Sequence, residues 1–303
     1  MRTAATLAAL ALASALAGCR TLPAPPPAGP PAEAPRPKVA LVLGGGAARG
    51  FAHVGVIRAL EQEKIPIDLV VGTSVGSLIG AIYAADLNSF ELEWTAFSLQ
   101  KEDLFDYGML TAVMGMGLAR GDKLEAFVKG KMAVQDIEQL KIPFAAVATD
   151  LNWGTKVVLD HGSIARAVRA SSAIPGVFQP VSHMGKLLVD GGVVDNIPIS
   201  VARAKGADLV VAVDISENVG NTNITNLVDV MLQAANIMFA LNVEHTKKDA
   251  DVLVAPKVGD VGMLDFGQKK RCMQAGIDAG RAAVPDIRKA IDAWVAKRSA
   301  PRS

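Results

Sequence analysis

The fold turns on IDLVVGTSVGSLIGAIYAA, residues 67–85. Ile67 to Val71 is a short, almost wholly apolar run, the composition of a strand buried on both faces. Val75 to Ala85 is small and apolar throughout and long enough for a helix. Between them stands Gly72-Thr73-Ser74-Val75-Gly76. A G-x-S-x-G between a strand and a helix predicts a nucleophile elbow. In a turn that tight Gly72 and Gly76 must lack side chains, and Ser74 is thrust outward at the helix N-terminus.

Outward from this turn the same rhythm repeats. Lys38 to Leu43 is another buried strand, ending in glycines, and Ala52 to Glu63 is helical, with Val54, Ile57 and Leu60 at three- and four-residue spacing. Phe144 to Thr149 and Lys156 to Leu159 flank Asn152-Trp153-Gly154 as a hairpin. Ile164 to Ala170 reads as a helix stopping before Pro175. Lys186 to Val189, Leu209 to Val213 and Val252 to Val254 read as further strands, and Ala279 to Lys297 as a terminal helix with a basic end. Strands alternating with helices through short connections predict one α/β domain, a mostly parallel central sheet covered on both faces. Residues 226–243 are hydrophobic, but Asp229, Gln233 and Asn236 interrupt the run. The expectation is an amphipathic helix packed on the core rather than a membrane span.

Of the 303 residues 50% are apolar and 20% charged, which excludes a disordered chain and leaves material for a large core. Lys and Arg number 31 against 30 Asp and Glu, so no global field exists to collect nucleic acid. Two cysteines, Cys19 and Cys272, exclude a disulfide framework and a Cys-rich metal site. Cys272 reads as a lone buried thiol.

The first residues read as an address. Met1-Arg2 precedes an Ala/Leu run too short to span a bilayer, which suits a secretory signal over residues 1–18. Leu16-Ala17-Gly18-Cys19 resembles the lipobox of bacterial lipoproteins, which implies an acylated Cys19 as membrane anchor. Arg20 follows, with no Asp there to signal inner-membrane retention, so the expected location is the outer membrane, facing the periplasm. Residues 19–37 complete the tether. Their proline-dense stretch TLPAPPPAGPPAEAPRP is a semi-extended spacer at ~3.1 Å per residue rather than folded protein. The folded domain is expected over 38–303.

Two further glycine-marked turns accompany the elbow. Gly44-Gly45-Gly46-Ala47-Ala48-Arg49-Gly50 joins a strand to a helix and aims several amide N–H groups at one spot, an anion site. It lacks the Gly-Lys-Ser/Thr of a P-loop, and Arg49 stands where a dinucleotide fingerprint wants glycine. An oxyanion hole is the third reading, and the loop alone does not choose among them. Asp190-Gly191-Gly192 follows the strand ending at Val189. A carboxylate there lies where open α/β sheets put their ligands, although a plain turn aspartate has the same appearance.

Together, G-G-G-x-x-R-G, G-T-S-V-G and D-G-G in this order resemble the patatin-like phospholipase family. His53-Val54-Gly55-Val56 and Ser171-Ser172-Ala173-Ile174-Pro175-Gly176-Val177-Phe178 add to the match, which spans roughly residues 38 to 215. The resemblance implies a patatin-like three-layer α/β/α fold and a lipid acyl hydrolase using a Ser–Asp dyad. It makes Ser74 the nucleophile and Asp190 the general base. Backbone amides around Gly45, Gly46 and Ala47 become the oxyanion hole, with Arg49 bracing the loop and Gly44, Gly50, Gly72, Gly76, Gly191 and Gly192 supporting the motifs. It implies a membrane-lipid substrate and neither cofactor nor metal. One departure stands out: the family's commoner pattern has glycine where Ala47 stands, and alanine tolerates positive φ poorly.

Four histidines test the dyad against a triad. His53 is expected to pack against the glycine loop, and His161 and His183 to lie on the surface. His245 follows Asp190 in the order of an α/β-hydrolase triad, but no motif carries it. Asp86, Asp150, Asp195 and Asp214 form no metal-ligand pattern. Residues 104–118, rich in Met and Gly, fit an acyl groove, a lid or an irregular helical hairpin equally well. A thioesterase, a small-ester hydrolase or a lipid-binding lipoprotein with a vestigial site are the competing functions.

Overall fold

A computed structural model describes residues 35–106, 117–216, 219–220 and 224–299. The expected signal, Cys19, nearly all of the tether and residues 107–116 of the Met/Gly-rich segment lie outside the described residues. Ten strands and nine helices of four or more residues are described here, numbered in chain order.

The first half of the sheet follows from apolar runs. Strands β1 (Val39–Leu43), β2 (Leu69–Thr73), β9 (Leu209–Val213) and β10 (Val252–Val254) lie parallel in the order β10-β9-β1-β2, and β4 (Phe144–Asp150) continues it beside β2. Along β1 the side chains alternate between two separate cores: Val39, Leu41 and Leu43 enter one, Ala40 and Val42 the other. That alternation explains why the strand reads as unbroken hydrophobicity. One face is covered by α1 (Phe51–Gln62), α2 (Val75–Asp86) and the 31-residue α9 (Lys269–Ser299), which packs along α1. The other is covered by α7 (Ile199–Ala204) and by Val243. The terminal helix starts ten residues before the sequence expectation and takes in the buried Cys272.

The second half turns antiparallel. Strand β5 (Thr155–Leu159) forms the expected hairpin with β4, and β7 (Val181–His183) pairs with β8 (Lys186–Asp190). The register around β4 positions everything that follows. Ala146 and Val147 pair with both β5 and β2, whereas Ala148 to Asp150 pair with both β5 and β8. A strand has only two edges, so β2 and β8 must share the edge opposite β5. They run in opposite directions and meet end to end, Thr73 beside Val147 and Asp190 beside Ala148. A separate pair, β3 (Gly117–Ala119) with β6 (Gly176–Phe178), lies off the main sheet. These three-residue strands are too short for periodicity to announce. Arg36–Ser303 forms a single compact unit with its own core.

Helix α8 (Leu227–Thr246) refines an expectation. It is the expected helix, packed on the core through Ala235, Phe239 and Val243, but of its three polar interruptions Asn236 is buried. Leu227, Val230, Ile237 and Leu241 are 68%, 50%, 40% and 59% exposed. The helix thus leaves an apolar stripe exposed beside its buried face, and the stretch Leu227–Asp249 is long and apolar enough to cross a membrane by length and composition.

Candidate active site

Ser74 caps α2 at φ 56° and ψ −127°. Positive φ in a non-glycine residue costs on the order of 1–3 kcal/mol and persists only where the surroundings impose it. Here β2 and α2 are packed so closely that a Cβ on Gly72 would lie 2.4 Å from the Gly76 carbonyl oxygen. One on Gly76 would lie 2.2 Å from that of Leu43. Both glycines are therefore required, as the sequence predicts. Ser171, near the end of α6 (Ile164–Ser171), completes the clamp: its Oγ accepts from the Ser74 amide at 2.9 Å and donates to the Val147 carbonyl at 2.6 Å.

Asp190 ends β8 on the same edge of β4. Its carbonyl accepts from Thr149 Oγ1, and its Oδ1 accepts from the Gly192 amide, both at 2.8 Å. Gly191 fits under Val147, where a Cβ would meet the carbonyl oxygen at 2.2 Å. The carboxyl is fully buried, and Oδ2 has no hydrogen-bond partner among the described residues. Burial without a counter-charge pushes its pKa up to about 7, against the smaller downward pull of the Ser74 hydroxyl and the Gly192 amide. Ser74 thus faces the carboxylate closely enough to influence it, without a hydrogen bond of full geometry. Such bonds are often long before substrate binds. A second buried aspartate nearby, Asp195, differs in kind. Burial raises its pKa too, but Lys156 Nζ lies 2.6 Å from its Oδ2 and occupies it.

The glycine loop lies over both. Ala47 adopts φ 49°, the strained geometry that the departure from glycine foretold. The Gly44 amide donates to Val213, that of Ala48 to Met263 and that of Arg49 to Gly46. Gly45, expected among the anion-binding amides, is committed elsewhere: its N–H points at the Asn196 side-chain and backbone oxygens, at 3.2 and 3.3 Å. The amides of Gly46 and Ala47 donate to nothing among the described residues. Arg49 is buried, with Nε bonded to the Gly46 carbonyl and Nη2 to Asn236 on α8. It braces the loop from behind, and Gly50 packs on Val75.

Sequence reasoning missed the residues that lock these turns together. Asn196 is buried and grips the Gly45 peptide at both ends, its Nδ2 reaching the Gly45 carbonyl at 3.4 Å. Asn242 donates to the Gly192 and Val193 carbonyls at 3.0 and 2.9 Å. Polar residues inside otherwise apolar surroundings were the available signal. His53 sits as expected: buried, its Nε2 2.8 Å from the Gly44 carbonyl, with burial pulling its pKa down to about 4 and keeping it neutral. His161 is exposed and pairs with Asp160, and His245 lies on the exposed side of α8. Among the described residues no histidine bonds to Ser74 or Asp190, and no three His, Cys, Asp or Glu side chains converge as metal ligands.

A narrow cavity of about 60 Å³ opens at Ser74. Its walls are Val75, Leu78 and Ile79 of α2, with Leu104, Phe105, Leu124, Ile174, Phe178 and Phe266, so it is apolar nearly throughout. Phe105 stacks on Phe178 with centroids 5.0 Å apart and meets Phe266 edge-on. Of the Met/Gly-rich segment, Leu104 and Phe105 thus line this wall, while 107–116 lie outside the described residues.

A mostly parallel α/β sheet thus brings together a strained serine at a strand-to-helix turn, a buried carboxylate without a counter-ion and an apolar cavity. Residues 41–203 match the family model described as patatin-like phospholipase, and the chain belongs to that family. It is 30% identical over 275 residues to Lysophospholipase NTE1 of Scheffersomyces stipitis, an alignment covering 79% of this chain and 17% of that protein. An uncharacterized NTE family protein of Mycobacterium bovis is 39% identical over 180 residues, 59% of this chain and 49% of its own length. The chain thus spans half or less of each of these relatives. The crystal structure of VipD from Legionella pneumophila superposes with a TM-score of 0.57 at 15% identity, covering 86% of this chain and 67% of that one, a likeness of fold.

Proposed function

We propose that this protein hydrolyses fatty-acyl esters of phospholipids or lysophospholipids through a Ser74–Asp190 dyad and an acyl-enzyme. The observation that carries the reading is the unpartnered Asp190 Oδ2, buried and raised to about 7, facing a serine on a strained turn. A carboxylate near its ordinary pKa of ~3.9 is too weak a base for serine, whereas one near neutrality is matched to the task. Asp190 takes the proton of Ser74 Oγ as that oxygen attacks the ester carbonyl. The negative charge developing on the carbonyl oxygen is met by the Gly46 and Ala47 amides, each donor of this kind lowering the barrier by ~2.7–4 kcal/mol. Protonated Asp190 then gives its proton to the departing alcohol oxygen. Water, deprotonated by Asp190 in turn, attacks the acyl carbon, and Asp190 returns that proton to Ser74 Oγ as the bond to the acyl group breaks and the fatty acid leaves. The apolar lining beside Ser74, rather than the volume of its narrow cavity, supports an acyl group as the part of the substrate held there. Residues 1–18 as a signal peptide and an acylated Cys19 with its proline-rich tether over 19–37 would hold the domain 38–303 at the outer membrane, beside its substrate.

The test is labelling with a fluorophosphonate alongside hydrolysis of lysophosphatidylcholine. Wild type should label and release fatty acid, Ser74→Ala should do neither, and Asp190→Asn should lose most of both. A folded wild type that stays unlabelled with and without detergent micelles overturns the reading.

A further inference from the structure

The outer face of α8 has no role in the chemistry above, yet its residue types are not those of a solvent face. Leu227, Val230, Ala234, Ile237 and Leu241 recur at alternating spacings of three and four and are all exposed, an unbroken apolar stripe one helix face wide. Val219 lies in the same groove as Ile237 and Leu241 and widens the stripe. The opposite face of α8 holds the candidate site: Asn236 accepts from Arg49, Asn242 from its amide holds the Gly192 and Val193 carbonyls, and Phe239 packs over Gly192. Met231 presses on Gly176, two residues from both Ile174 and Phe178 of the acyl cavity. One helix therefore bears the site on its inner side and a lipophilic stripe on its outer side.

We propose that this stripe is the surface by which the domain docks on a phospholipid bilayer, a proposal that rests on the lipid-hydrolase reading for its choice of partner. The helix lies on the bilayer rather than across it. Although α8 is long and apolar enough to span, spanning would strip Asn236 and Asn242 from Arg49 and the Asp190 turn. A second copy of the chain is the weaker occupant. The stripe is about 22 Å long, at 1.5 Å per residue, and one helix wide, a footprint of roughly 200 Å². A stable protein interface takes about 800 Å² per partner. A bilayer needs no matched partner surface, and an interfacial helix sinks its apolar side ~5–10 Å into the headgroup boundary. The groove at Ile237 and Leu241 is bordered by Asp214, Glu244 and Asp260 against Lys247, Lys257 and Arg271, charges that cancel, so docking does not require anionic lipid. The stripe's continuity with the cavity-side residues through Met231 places the acyl cavity next to the membrane from which its substrate would be drawn.

The experiment uses residues 36–303, the self-contained unit, without any lipid anchor. Flotation with phosphatidylcholine vesicles is measured for wild type and for a Val230→Glu, Leu241→Glu double variant. Fluorophosphonate labelling, hydrolysis of a soluble short-chain ester and light-scattering mass are followed on the same samples. Wild type should float as a monomer, and the variant should float at least tenfold less. The variant should label and cleave the soluble ester like wild type but cleave vesicle lipid at least tenfold more slowly. A wild type that does not float, or a variant that floats equally well, overturns the proposal. So does a wild-type dimer that the variant dissolves, which would assign the stripe to a second copy. If wild type floats, the variant does not, and neither labels, docking stands and the hydrolase reading falls.

Discussion

The turn after β2 and the turn after β8 meet on one edge of β4, yet they are destabilised in different ways. At Ser74 the cost is conformational, a non-glycine residue held at φ 56°. At Asp190 the backbone is relaxed, φ −49° and ψ 136°, and the cost is electrostatic, a carboxyl buried without a counter-charge. The first cost is imposed by sterics and is indifferent to pH. The second varies with pH, because protonation removes it. In the proposed mechanism, a site assembled from both would keep its nucleophile fixed and its base matched to neutral solution.

Substitutions that relieve one cost and leave the other separate the two. The largest effect is expected for Asp190→Asn, which removes the base and the buried charge together. Turnover should fall by at least ~10³-fold, while wild-type activity should rise with pH through an apparent pKa of about 7. Stability should move the opposite way. A carboxyl raised in the folded state contributes stability at low pH that is lost as pH rises through about 7. The unfolding free energy of Asp190→Asn relative to wild type, measured by chemical denaturation, should therefore climb between pH 4 and 8 by an amount on the order of a few kcal/mol, and a flat difference would refute the electrostatic half.

Next in size is Gly76→Ala. Its Cβ has only backbone to meet, 2.2 Å from the Leu43 carbonyl oxygen, so destabilisation of more than ~3 kcal/mol is expected by chemical denaturation, at every pH. Asn196→Ala should act more gently. It frees the Gly45 peptide and loosens the loop presenting Gly46 and Ala47, so kcat should drop ~10–100-fold with KM nearly unchanged. A change confined to KM would mean that Asn196 serves binding rather than the loop. The smallest effect belongs to Ala47→Gly. Relief at φ 49° offsets the entropy that glycine adds to the unfolded chain, leaving stability within ~1 kcal/mol of wild type and labelling of Ser74 intact.

The same contrast explains what could be read from the sequence. The elbow was legible because its rule is local: a strand, a helix and a turn too tight for side chains at 72 and 76 leave few alternatives. The strained Ala47 was legible for the same reason. Asn196, Ser171 and Asn242 were not, because each acts on a peptide far away in the chain, and nothing local distinguishes a clamping asparagine from a turn residue. Helix α8 shows the limit of periodicity. Its pattern gave a helix but not which face meets the protein, and two of its polar residues, Asn236 and Asn242, proved to face inward, toward the turns they hold.

The shared edge of β4 has a consequence for how this fold tolerates change. Both turns are positioned through one strand: Thr73, the residue before Ser74, pairs with Val147, and Asp190 pairs with the next residue, Ala148. Insertions in the hairpin turns at 152–154 and 184–185 fall outside that registration, whereas the segment between them carries Ser171 and Ala173, which hold the Ser74 and Asp190 amides. One residue added within β4 would displace the two side chains by ~3.3 Å and turn one of them to the other face of the sheet. The strand is the ruler against which this site is cut, and seven residues of backbone limit how far it can evolve.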